Sequence, residues 1–121
     1  GDPNRHGFDT FFGYNCQRQA HSFYPRHLWR NEKKVEYPGN SLGQGDTYSH
    51  DVIEAEALEF IRRHRDRPFF AYVPFTLPHL ALQVPDDSLA EYRNAFPEVP
   101  YTGGKGYRPH PTPRAAYAAM I

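Results

Sequence analysis

The strongest pattern of regular structure in this chain is an amphipathic helix that leads directly into a short apolar segment. The helix is predicted over residues 50–65, where apolar and aromatic side chains recur at helical spacing: Ile53, Ala57, Phe60, Ile61 and His64. Asp51 is its predicted N-cap, Glu54 completes a capping box, and Pro68 ends it. The run from Phe69 to Phe75 predicts a strand buried on both faces. A helix joined closely to a buried strand is one step of an α/β sheet, so the predicted fold class is α/β.

The rest of the chain is dominated by turns and aromatic rings. Of 121 residues, 12 are proline and 9 are glycine, and aromatic residues make up 16%. We predict packed irregular structure over 1–30 and a polar excursion with a turn over 31–47. The remaining predictions are a short helix over 86–94 capped by Asp86 or Asp87, a long loop over 97–113, and a final helix that begins at Thr112 and Pro113. With so few aliphatic residues, we expect these residues to be part of a larger domain, cut at both ends.

Charge and hydropathy exclude several classes of function. Lys and Arg number 14 and Asp and Glu number 14, so the formal net charge is zero. A neutral chain lacks the electrostatic footprint of a nucleic-acid or anionic-membrane binder. No apolar run approaches the roughly 18 residues of a membrane span. The single cysteine, Cys16, permits no internal disulfide and does not reveal the redox compartment.

Seven histidines invite a metal-site hypothesis, but their spacings match no local ligand motif. His79 is distinguished by its position just after the predicted strand 69–75. In open α/β sheets, ligands bind beyond the carboxyl ends of the strands. An imidazole there can bind an anion or donate a proton near neutral pH. A loop histidine that only caps backbone groups is the alternative, and position alone does not decide between them.

Other candidate residues have weaker patterns. Cys16 has no activating neighbour at a recognisable spacing and is predicted to be a partly buried structural thiol. Residues 103–106 lack the phosphate-loop pattern and are predicted to be a flexible loop. The aromatic side chains of residues 8–29 are predicted to form core rather than a ligand platform. A subsite role stays open for the polar residues among them: Arg18, His21 and Tyr24.

An ordered series of segments resembles the type I sulfatases. In chain order these are GFDTFFGY (7–14), QRQAHSFYP (17–25), LWRN (28–31), YSHD (48–51), RPFF (67–70), Pro78-His79 followed by QVP (83–85), and RAAYAAM (114–120). No segment is decisive alone, but the order is specific and covers nearly the whole chain. The resemblance implies that residues 1–121 are the middle portion of a single sulfatase catalytic domain. It also implies a partial alkaline-phosphatase-like α/β sandwich.

The resemblance implies a chemistry as well. The parent protein would be an arylsulfatase-like sulfuric ester hydrolase acting on sulfated small molecules or glycans, with a formylglycine nucleophile and one calcium ion (Ca²⁺). Formylglycine derives from Cys or Ser in a CxPxR or SxPxR segment, which the sequence after Cys16 does not match. We therefore expect the nucleophile and the calcium ligands outside this segment, and no activity from these residues alone. Relatives of this kind are often exported, which suggests a periplasmic or secreted location.

One residue role follows from the resemblance, and a second is suggested by it. His79 matches the histidine of the family's Pro-His element, which implies a catalytic residue that contacts the sulfate near the leaving-group oxygen. His21, within AHSFYP, is implied to help bind the substrate. Two other functions stay open. One is a phosphoesterase or phosphonate-ester hydrolase of the same superfamily, and the other is a non-catalytic carbohydrate-binding module that uses the aromatic residues of 8–29.

Overall fold

The computed structural model describes residues 2–41 and 43–121. Within these ranges lie three short strands and three α-helices: β1 (Phe12–Gly13), β2 (His27–Arg30), β3 (Lys33–Glu36), α1 (Ser49–His64), α2 (Asp86–Glu91) and α3 (Pro113–Ala118). Two turns of 3-10 helix, Pro3–His6 and Gln19–His21, lie in the N-terminal part. The strands form one antiparallel sheet in the order β1-β2-β3. The chain thus contains both helices and strands, as predicted. Its sheet is small and antiparallel, which the sequence did not predict.

The hairpin of β2 and β3 falls partly in the segment predicted to be a polar excursion. Leu28 pairs with Val35 and is fully buried, whereas Trp29 pairs with Lys34, whose ammonium lies 5.6 Å from the indole ring. The exposed positions of β3 are charged, and Val35 is its one half-buried side chain. A polar edge strand of this kind lacks the apolar alternation by which strands are recognised.

Helix α1 confirms the predicted helix, but its N-terminus differs from the prediction. The helix begins at Ser49, with Tyr48 in an extended conformation before it and no side-chain cap. The capping box of Asp51 and Glu54 is therefore wrong. The backbone N–H of Ser49 instead donates to the carbonyl of Phe23 at 2.8 Å, so a distant segment satisfies a terminal donor.

The predicted buried strand 69–75 is wrong for the part of the chain that the structure describes. This segment pairs with no strand, and its side chains are exposed, including 75% of Phe70 and 70% of Tyr72. A strand needs hydrogen-bonded strands at its edges, and burial of both its faces needs other elements packed over them. Among the described residues, no strand lies beside this segment. The segment does lie against α1, where Phe69 meets Phe60 with ring centroids 5.6 Å apart.

The two short helices, α2 and α3, agree with the predictions only in part. Helix α2 stops at Glu91, short of the predicted residue 94, and Pro85 occupies its N-cap position. The predicted caps Asp86 and Asp87 are therefore wrong, and both residues lie in the first turn, where the helix dipole favours carboxylates. Helix α3 begins at Thr112 and Pro113, as predicted.

A glutamate from the preceding loop caps helix α3. The carboxylate of Glu98 accepts hydrogen bonds from the backbone N–H groups of Arg114, at 3.1 Å, and Ala115, at 2.8 Å. Thr112 occupies the N-cap position without a side-chain hydrogen bond, so Glu98 supplies the acceptor instead. The long loop 97–113 is thereby attached to the helix that follows it.

The buried core lies where four segments of the chain meet. Its members are Phe23, Tyr48, Ala81 and Met120, and half-buried side chains such as Leu77 pack around them. Two of these four side chains are aromatic, and because an aromatic ring buries a large apolar surface, the core forms with few aliphatic residues. Over the residues described, no helix combines the length and the apolar character that crossing a membrane would require.

Candidate functional site

Three polar rings from distant parts of the chain meet at the surface. The hydroxyl of Tyr107 lies 3.5 Å from Nε2 of His21 and 3.4 Å from Nε2 of His79. The ring centroids of the two histidines are 5.7 Å apart, and Tyr107 lies 5.0 Å from His21 and 5.8 Å from His79. His79 is exposed, whereas the other two rings are half-buried. We call these three residues the His–Tyr cluster.

His21 is held by the short helical turn that it ends. The backbone N–H of His21 donates to the carbonyl of Arg18, and the N–H of Ser22 donates to the carbonyl of Gln19. Two residues later, Phe23 is fully buried in the core. His21 therefore lies at the edge of the core with its ring directed toward the other two.

Tyr14 fixes the same segment from the other side. Its hydroxyl donates to the carbonyl of Ser22 at 2.7 Å. Burial raises the pKa of Tyr14 to about 12, although the hydroxyl of Ser49 partly opposes the shift. Burial also raises the pKa of Tyr24 and Tyr48. The region beside His21 therefore favours protonated tyrosines.

This clustering predicts alkaline sensitivity with a definite sign. Tyr14 has a pKa of 10.0 when unshifted and about 12 when folded, so its contribution to stability is complete below pH 10 and is lost as pH rises toward 12. Between pH 10 and pH 12, ionisation of this tyrosine makes the unfolding free energy fall by about 1.4 kcal/mol per pH unit, the value for one proton. When the unfolding free energy is measured with urea across this range, Tyr14→Phe should remove this part of the fall. An unaltered slope in Tyr14→Phe would contradict the assignment.

The loop that carries His79 is fastened to the core by Gln83. The side-chain carbonyl of Gln83 accepts a hydrogen bond from the backbone N–H of Phe23 at 2.6 Å. Its backbone carbonyl accepts from the hydroxyl of Tyr48 at 3.0 Å. Gln83 thus ties the His79 loop to the segment that carries His21 and to the start of α1.

Tyr107 is presented by a tight turn in the proline-rich loop. Gly104 and Tyr107 exchange backbone hydrogen bonds of 3.2 and 3.0 Å, and Tyr101 pairs with His110 further along the same hairpin. Gly103 has φ +85°, and a Cβ there would lie 3.1 Å from the Tyr107 carbonyl oxygen. Glycine is therefore required at this position if the hairpin is to bring Tyr107 to the histidines. The predicted flexible loop contains an ordered turn.

The structure brings together two of the residues singled out from the sequence and adds a third. His21 and His79 are neighbours, and their functional roles stay predictions. Arg18 is exposed and lies just before the 3-10 turn Gln19–His21. The ring of Tyr24 packs against the ring of Tyr48, with centroids 5.3 Å apart. Tyr107 was missed because a tyrosine after a glycine-rich turn has no sequence pattern that points to a site.

Cys16 is exposed, so its prediction as a partly buried structural thiol is wrong. It lies in the turn before Gln19–His21, where little of the chain can cover it. Backbone N–H groups of Gln19 and then Arg18 lower the pKa of the thiol. Its neighbours still do not match the segment from which formylglycine is made.

The described residues do not fit a calcium site. Calcium takes six to eight oxygen ligands in proteins, mostly from carboxylates and carbonyls. Across residues 2–41 and 43–121, no group of three or more His, Cys, Asp or Glu side chains is placed to hold a metal ion.

Comparison with known proteins identifies the family. The sulfatase family model matches residues 1–121. The chain is 30% identical over 98 residues to the uncharacterized sulfatase YdeN of Escherichia coli, a match covering 78% of this chain and 15% of that protein. It is also 30% identical over 69 residues to an uncharacterized sulfatase of Schizosaccharomyces pombe, covering 45% of this chain and 12% of that protein. The chain thus matches only a small share of each relative's length, and it belongs to the sulfatase family.

Proposed function

We propose that the protein to which this chain belongs is an arylsulfatase-like sulfuric ester hydrolase that cleaves sulfate monoesters. We further propose that His79 is its catalytic residue at the leaving-group oxygen and that His21 binds the substrate beside it. The observation that carries this proposal is that the imidazoles of His79 and His21 are neighbours, because both residues lie in segments that resemble the sulfatases. His79 is also open to solvent, so a substrate can reach it.

The chemistry of sulfate-ester cleavage needs a group of this kind. Breaking the sulfur–oxygen bond leaves negative charge on the departing alcohol oxygen. A protonated imidazole placed at that oxygen can donate its proton as the bond breaks, which gives a neutral alcohol and a neutral imidazole. His21, 5.7 Å from His79 between ring centroids, lies close enough to contact the same substrate.

The nucleophile and the metal are proposed to come from other parts of the catalytic domain. The family's formylglycine would supply the attacking group, and its calcium ion would stabilise charge on the sulfate. These 121 residues alone should therefore be inactive. We propose the alkaline-phosphatase-like sandwich for the whole domain, in which further strands would cover the exposed segment 69–75.

The test is a direct comparison of ester classes with the full-length protein. An aryl sulfate, an aryl phosphate and an aryl phosphonate ester with the same phenol as leaving group are supplied in turn, and release of the phenol is measured. The proposal predicts the highest kcat/KM for the sulfate ester. Preference for the phosphate or phosphonate ester would instead support a phosphoesterase of the same superfamily.

A second assay, with a sulfated glycan in place of the aryl esters, tests the carbohydrate-binding alternative. Several aromatic side chains of residues 8–29 are already engaged within the protein: Phe23 lies in the core, Phe12 lies under the Arg30 guanidinium, and Trp29 lies under Lys34. A glycan platform needs exposed ring faces. Binding of a sulfated glycan with no release of sulfate would favour a binding module and overturn the hydrolase proposal.

A further inference from the structure

Tyr107 lies between the two histidines in a geometry that links them. Its hydroxyl is almost equally distant from the two Nε2 atoms, at 3.5 Å from His21 and 3.4 Å from His79. Tyr107 packs against the buried core, which limits how far its hydroxyl can move. The hydroxyl is therefore held at one place relative to both imidazoles.

The hydrogen-bonding capacity of a hydroxyl makes this arrangement directional. A tyrosine hydroxyl carries one proton to donate, and its oxygen can accept. A neutral imidazole has one nitrogen that donates and one that accepts. If the Tyr107 hydroxyl donates to one Nε2, the other Nε2 must carry a proton and donate to the hydroxyl oxygen. The two neutral imidazoles are thus held in opposite tautomers.

We propose that Tyr107 is a positioning residue that fixes the tautomer and the ring orientation of His79 through its hydroxyl and couples His79 to His21. The catalytic part of this inference rests on the proposed function, since it takes His79 as the proton donor. The coupling itself rests on the geometry alone. Both nitrogens of a protonated imidazole donate, so once His79 is protonated the Tyr107 hydroxyl accepts from its Nε2 and keeps the ring in the same orientation. A ring held in this way presents its proton without first reorienting.

The first test reads the tautomers without using activity. The full-length protein is labelled with ¹⁵N at histidine, and side-chain nitrogen spectra are recorded at a pH where the imidazoles are neutral. We expect His21 and His79 to show opposite tautomers, and Tyr107→Phe to abolish this difference while keeping the ring in place. Identical tautomers in the unaltered protein, or an unchanged pattern in the variant, would overturn the coupling.

The second test measures kinetics with a sulfate ester of a poor leaving group. Tyr107→Phe should lower kcat roughly tenfold, the size of one hydrogen bond's net contribution, with KM unchanged. Tyr101→Phe removes a hydroxyl from the same hairpin, where Tyr101 pairs with His110 through its backbone, and should change neither value. A rise in KM alone, or an unchanged kcat, would overturn the positioning role.

The two tests also separate this inference from the function on which it rests. Opposite tautomers in a protein that hydrolyses no sulfate ester would reject the proposed function and leave the coupling standing. Sulfate-ester hydrolysis in a protein whose two histidines have the same tautomer would do the reverse.

Discussion

Replacing His79 by alanine in the full-length protein should lower kcat for sulfate esters of poor leaving groups roughly 10²–10⁴-fold, the range for losing a positioned acid–base group. Poor leaving groups depart as unstable anions unless they are protonated, so they depend most on an acid. The variant should stay folded, because His79 is exposed and lies outside the buried core. Steady-state kinetics together with a circular dichroism spectrum of the variant measure both expectations.

Cys16→Ser is the matched control for this experiment. Cys16 is also exposed, and its thiol could act as a nucleophile. Its neighbours do not match the segment from which formylglycine is made. It should retain most of the activity. Loss of activity in Cys16→Ser would place the nucleophile within this segment. A folded His79→Ala variant with near-normal kcat would remove His79 from the mechanism, and an unfolded one would indicate that His79 only holds its loop.

Replacing Asn40 by alanine should cost about 3 kcal/mol of stability. Asn40 is fully buried, and its amide donates to the carbonyls of Pro25 and Thr47, each at 2.8 Å. Its side-chain oxygen accepts from the backbone N–H of Thr47 at 3.1 Å. Alanine would leave three backbone groups without partners, and each unsatisfied buried group costs about 1–3 kcal/mol, less where water can reach it. Urea unfolding of the full-length protein measures the loss.

Two further variants show which atoms of Asn40 matter. Asn40→Asp keeps the shape and the acceptor but loses both amide donors, so it should be at least as destabilising as alanine. Asn15→Ala, at an exposed position, should be close to neutral. If Asn40→Ala costs less than about 1 kcal/mol, the buried amide does not hold this loop to the start of α1.

The secondary structure could be predicted where local pattern decides it. Helix α1 has an apolar stripe, so it was predicted close to its observed bounds. Pro113 suits the first position of a helix, so the start of α3 was predicted where the structure has it. The cap of α1 could not be predicted, because Phe23 supplies its acceptor from a distant segment. The run 69–75 was misassigned since its apolar pattern reports a need for burial but not the neighbours that provide it.

The candidate site was predicted in part. His79 and His21 were singled out from their segments, yet nothing in their spacing shows that their rings are neighbours. That proximity depends on tertiary contacts, chiefly Gln83, which ties the two segments together. Tyr107 lies 86 residues from His21 and 28 from His79, and a turn that needs Gly103 delivers it. A residue placed only by such long-range packing has no local signal.

The most direct test of the central claim, that His79 protonates the leaving group of a sulfate ester, is a leaving-group series. Values of kcat/KM are measured for the unaltered protein and for His79→Ala with aryl sulfates whose phenols range from strongly to weakly acidic. The account predicts that kcat/KM of the unaltered protein divided by that of His79→Ala is near one for the most acidic phenols. This ratio should rise steadily as the phenols become less acidic. A ratio that is the same for every phenol would contradict it.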